Sequence, residues 1–63
     1  MTRQEWQEEI VYCAGVVRKG GDRNVPRGAV ASYLDLQANS ARREGETDVV
    51  DKLDSMREAW SAA

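Results

Sequence analysis

Histidine is absent from this chain of 63 residues, and cysteine occurs once, as Cys13. The first absence removes a ready general base and a His/Cys zinc site; the second removes any intrachain disulfide. No apolar run approaches the ~20 residues needed to cross a bilayer. No segment alternates apolar and polar residues as a strand would, and there is no repeat or low-complexity tract. Gly20-Gly21 lacks the spacing and the following Lys-Ser/Thr of a phosphate-cradling loop. The opening Met-Thr-Arg-Gln-Glu-Trp shows no charged-then-apolar export pattern, and a single free thiol suits a reducing compartment. A cytoplasmic protein is therefore expected, with no membrane partner, no metal and no cofactor.

Catalysis by acid–base or nucleophilic chemistry needs a nucleophile, a base and an orienting group in one cleft. Here the base would have to be a carboxylate, Lys or Tyr, and the acids fall at the spacings of solvated helix faces. Cys13 lies on an inward stripe, where a thiol behaves as a small apolar side chain. No catalytic residue is assigned, and the chain is not expected to be an enzyme.

Size points towards association. A domain this small buries only ~60% of the surface its unfolded chain exposes, and cores below ~70–80 residues seldom supply more than ~3–5 kcal/mol. A homodimer, or a complex with another protein, is the expected further source of stability. Nine basic and eleven acidic residues leave a net charge of −2, with a pI near 5.0, which argues against binding governed by phosphate neutralisation. The charges are segregated, however. Arg18, Lys19, Arg23 and Arg27 surround the central loop, whereas Glu46, Asp48, Asp51, Asp54 and Glu58 mark the last helix. Such polarity can steer a partner or align two copies.

What is present reads as helix. Thr2-Arg3-Gln4-Glu5 fits a capping box. Trp6, Ile10, Cys13, Ala14 and Val17 then share one helical face, widened by Val11, Tyr12 and Val16. Glu5, Glu8 and Glu9 sit early and Arg18 and Lys19 late, as the helix dipole prefers. Gly15 interrupts this helix and suits either a local weakness or the close approach of a second helix. Gly20-Gly21 ends it. The loop Gly20 to Arg27 follows, with Asn24 a candidate cap and Pro26 placed to open the next helix. A long connection in so small a domain is a natural place for function. Thr47 can cap a third helix, whose stripe Val49, Leu53, Met56, Trp60 is the clearest in the chain.

The stretch from Pro26 to Gly45 admits two readings. Val30, Tyr33, Leu34, Ala38 and Ala41 suit one continuous amphipathic helix. Alternatively, Ala31, Leu34 and Leu36 frame a turn at Asp35-Leu36-Gln37, and the segment resembles a helix-turn-helix motif. That resemblance implies DNA read in the major groove by Asn39, Ser40, Arg42 and Arg43. Asp35 stands where such motifs usually have glycine, and Ala41 is small for an anchor of the second helix.

The expected architecture is all-α: helices at about 3–19, 26–44 and 47–61 in a single domain. They would form a three-helix bundle, or a helical hairpin plus one helix completed by dimerisation. Helices two and three should pair antiparallel, with Trp6 and Ile10 of helix one meeting the Leu53–Trp60 end. The expected function is that of a non-enzymatic protein-binding modulator. Short acidic helical chains of this kind suit a phage- or bacterially encoded inhibitor that covers a surface of a host or defence protein. Trp6, Arg23, Arg27 and Trp60 are the candidate partner-binding residues, because Trp and Arg recur as interface anchors. A helix-turn-helix DNA-binding regulator is the alternative.

Overall fold

The computed structural model describes residues 1–62 of the chain. Three α-helices account for most of it: α1 (Arg3–Lys19), α2 (Val30–Arg43) and α3 (Thr47–Ala62), with a single 3-10 turn, Arg27–Ala29, leading into α2. Among the described residues there is no strand, so the all-α expectation holds. No helix among them is long and apolar enough to cross a membrane.

The ends of α1 form as the local chemistry requires. The Glu5 amide donates to Thr2 Oγ1 at 3.1 Å, and the Thr2 amide donates to Glu5 Oε1 at 2.7 Å, completing the capping box. At the other end the amides of Gly20 and Gly21 donate back to the carbonyls of Val17 and Val16. Helix α2 begins later than the sequence suggests. Pro26 has an extended ψ of 160° and stands ahead of the 3-10 turn rather than inside a helix. Gly28 in that turn weakens α-helix locally, so regular helix starts only at Val30. Asn24 caps neither element; its amide is tied to Asp22 Oδ1 at 2.9 Å. Gly45, at φ 74°, closes α2 in a conformation that a Cβ would disfavour. Its amide donates to Arg42, and that of Glu46 donates to Ala41. The Val50 amide then donates to the Glu46 carbonyl, so Glu46, not Thr47, is the half-helical residue that starts α3.

The apolar stripes meet in one core. Val30, Leu34, Ala38 and Ala41 of α2 are buried against Val49, Val50 and Leu53 of α3, with Trp6, Cys13 and Val16 of α1 closing the third side. Ile10, Val17, Tyr33, Met56 and Trp60 are half-buried around it. Burying such side chains is worth roughly 25 cal/mol per Å² of apolar surface. Ala14, expected on the buried stripe of α1, is exposed. Val11, expected to widen that stripe, is 73% exposed.

Helices α2 and α3 form the antiparallel hairpin, and α1 lies chiefly against α3. The direction of α1 differs from expectation. Its start reaches the α2–α3 turn, where Met1 and Arg3 contact Glu44, Glu46 and Asp48, and Ile10 lies beside Val49. Trp6 and Ile10 thus meet the beginning of α3 instead of its Leu53–Trp60 end. The connections on either side of α2 are short, so successive helices alternate in direction, α1 and α3 run the same way, and the start of α1 comes beside the acids at the start of α3.

Candidate partner-binding site

The topology creates two ends with different chemistry. At the turn end, the amino terminus of α1 meets the α2–α3 turn, and its cations there are paired. The Met1 ammonium and the Trp6 Nε1 both donate to Glu44 Oε1 at 2.9 Å. Arg3 forks across Glu46, at 2.6 Å, and Asp48. The ammonium and the indole N–H hold the Glu44 carboxyl below its usual range, and Arg3 does the same for Asp48. Trp6 itself is 1% exposed. It is a core residue whose one polar atom is satisfied, so in this fold it presents no surface to a partner.

At the loop end, Asp22 acts as an organising hub. Its Oδ1 accepts from the amides of Asn24 and Val25, at 2.9 and 2.6 Å, and its Oδ2 accepts from the Tyr12 hydroxyl at 2.8 Å. The Asp22 amide donates to the Val25 carbonyl. These bonds, led by that from Val25, hold its carboxyl below the usual range. Val25 is driven into the core at 5% exposure. Gly21 packs so closely that a Cβ there would lie 2.7 Å from the Arg27 amide nitrogen. The connection is therefore a folded element, pinned by hydrogen bonds and an apolar plug. Neither Asp22 nor Val25 stands out as a functional position in the sequence. An Asp two residues before Asn in a Gly-rich loop is an Asx-turn signal that could have identified the first.

This hub exposes Arg23 and Arg27. The Arg27 guanidinium carbon lies 5.6 Å from the centroid of the Trp60 ring, within cation–π range. Trp60 is half-buried, with its inner side on the core and its outer side beneath Arg27. Among the described residues neither Arg23 nor Arg27 forms an ion pair, and neither do Arg18 and Lys19 at the nearby end of α1. Three of the expected partner-binding residues, Arg23, Arg27 and Trp60, thus lie on the loop end, whereas Trp6 lies in the core and reaches the opposite end.

The alternative set is arranged differently. Helix α2 is unbroken from Val30 to Arg43, so the turn at Asp35-Leu36-Gln37 does not form. Asp35 sits mid-helix and faces Arg57 of α3 at 3.4 Å. The Val30, Leu34, Ala38, Ala41 stripe runs through the segment and needs one continuous helix to stay against α3. Arg42 donates to Asn39 Oδ1 at 2.8 Å, and Arg43 donates to Ser40 Oγ at 3.2 Å. Arg42 also approaches Asp54 at 3.8 Å.

A third cluster lies between α1 and α2. The half-buried Glu9 carboxylate accepts from the Tyr33 hydroxyl and, at 3.4 Å, from the Cys13 thiol. Tyr12 and Tyr33 stack edge-to-face with centroids 6.2 Å apart. Burial, reinforced by the Glu9 charge, pushes the Cys13 thiol up to about 12. That holds the sulfur protonated and a poor nucleophile. Among the described residues no cluster of His, Cys, Asp and Glu has the makings of a metal site. No family model matches the chain, and no curated protein or solved structure does so either.

Proposed function

We propose that this is a small non-enzymatic protein-binding modulator that occupies an acidic surface of another protein through its loop end. One observation carries the reading: a hydrogen-bonded loop presents Arg23 and Arg27 without carboxylate partners, Arg27 lying over the half-buried Trp60. A preformed loop loses little freedom on binding. An Arg without a carboxylate partner, seated on an aromatic ring, offers forked hydrogen bonds to carboxylates. A cytoplasmic setting accords with a buried, reduced Cys13. An inhibitor of a host or defence protein, encoded by a phage or a bacterium, is the particular form of modulator that the size and acidity suggest.

The test is affinity capture at physiological salt with the wild type, with Arg23→Glu/Arg27→Glu, and with Arg42→Glu/Arg43→Glu, each checked for helicity. A single acidic protein retained by the wild type and lost only with the loop variant supports the reading. Titration with random duplex DNA at low and moderate salt provides the opposing arm. A DNA complex that dissolves as salt rises, and that depends on Arg42 and Arg43, overturns it in favour of a DNA-binding regulator.

A further inference from the structure

The outer face of α1 leaves a large apolar side chain uncovered near its middle. Val11 is 73% exposed, more than any other large apolar side chain described. Around the helix at 100° per residue, Glu8, Ala14, Gly15 and Arg18 fall within about 60° of Val11. Gly15 answers the question its position poses: a Cβ there would meet nothing within 4 Å. No helix of the same chain approaches it, and a shallow depression lined by Val11, Tyr12, Gly15, Val16, Lys19 and Asp22 lies beside it. The charges on this face are ordered, with Glu8 towards the start and Arg18 towards the end. Neither forms an ion pair among the described residues.

From this pattern we infer that the α1 face pairs with a second copy of itself, antiparallel, about a two-fold axis level with residue 13. In that register Val11 of each copy enters the space left by Gly15 of the other, and Glu8 lies opposite the other copy's Arg18. A parallel pairing would set Glu8 against Glu8 and Arg18 against Arg18. An apolar centre flanked by opposite charges at equal spacing is self-complementary, as a two-fold interface must be. The occupant is therefore a second copy in preference to an unrelated chain. One face of one helix makes a small interface, so the dimer is a weak one. Arg23, Arg27 and Trp60 lie off this face and remain free for a target.

Sedimentation velocity over a concentration series, extended to about 1 mM because the interface is small, tests the pairing. The wild type should pass from monomer to dimer. Val11→Glu should raise the dissociation constant by about 100-fold or more, since it places two carboxylates in the apolar centre. Glu8→Arg and Arg18→Glu should each weaken association by about fivefold, and the double swap should restore it. Helicity by circular dichroism guards against a folding defect; Val11 is exposed, so all the variants should keep it. A wild type that stays monomeric throughout, a dimer indifferent to Val11→Glu, or a double swap that restores nothing would each overturn the inference.

Discussion

The two ends of the bundle handle charge in opposite ways. At the turn end the amino-terminal cations have carboxylates: Met1 on Glu44, and Arg3 on Glu46 and Asp48. At the loop end the loop's own carboxylate, Asp22, is engaged by backbone amides and the Tyr12 hydroxyl, and Arg23 and Arg27 are left without ion pairs among the described residues. The same kinds of residue thus serve to close the fold at one end and to present a surface at the other. The difference shows that a charge count says little about function until the partners are known. A net charge of −2 conceals a cationic patch in which neither Arg23 nor Arg27 forms an ion pair among the described residues.

The two tryptophans give the largest test of this contrast. Trp6→Ala should cost about 3–5 kcal/mol, comparable to the whole stability of so small a core, and leave the chain largely unfolded in urea titrations. Trp60→Ala, at a half-exposed site, should cost about 1–2 kcal/mol. Equal costs would break the distinction. Leu53→Ala, in the core shared by both ends, should cost about 2–5 kcal/mol, and an unchanged melting temperature there would refute the assignment of the α3 face.

Two glycines come next. Gly21→Ala must place a Cβ against the Arg27 backbone at a φ of 112°, so it should cost at least about 1 kcal/mol and loosen the loop. Gly15→Ala, in open space within α1, should stabilise the monomer by about 0.5–1 kcal/mol. Both are read by thermal melts at concentrations too low for self-association.

The pH dependence separates the ends more finely. The carboxyls of Glu5, Asp22, Glu44 and Asp48 are depressed in the folded chain. Their stabilisation is full above the ordinary carboxylate range, about 4, and is lost as pH falls through their folded values. The Met1 ammonium and the Cys13 thiol are raised. Their contributions are full below their unfolded values, about 8 and about 8.5, and fade as pH rises through the folded ones. Melting temperature should therefore be flat near neutrality and fall on both sides. Glu44→Gln should reduce both slopes, because Glu44 depends on the ammonium and the ammonium on Glu44. Cys13→Ala should remove part of the alkaline slope alone.

The smallest effects concern surface arginines. Arg23→Ala should change stability by no more than about 0.5 kcal/mol, and Arg27→Ala by about 0.5–1 kcal/mol through loss of its stacking on Trp60. Arg3→Ala should give a modest loss that vanishes at high salt, because its ion pairs are exposed and screened. A salt-independent Arg3 effect would mean that the turn end rests on packing alone.

Much of the fold was legible in the chain itself. The capping box at Thr2 and Glu5, the stops at Gly20 and Gly45, and the α2 and α3 stripes depend on neighbours within a turn or two, so local chemistry determined them. The choice of one continuous α2 was not local. Asp35 tolerates either a turn or a helix, and only the need to lay Val30, Leu34, Ala38 and Ala41 together against α3 decided it. The fate of the two tryptophans was likewise beyond reach of the sequence, since both lie on apolar stripes. Trp6 became core because α1 runs towards the acids of the α2–α3 turn, where Glu44 could satisfy its indole N–H. Trp60, at the far end of α3, was left beside the loop and covered by Arg27. The loop's order was also tertiary, resting on Tyr12 reaching across to Asp22 and on Val25 entering the core. Periodicity and caps thus determined which segments are helices, while long-range packing and pairing decided their direction and the residues left exposed. Exposure depends on what the rest of the chain covers, and no local pattern encodes that.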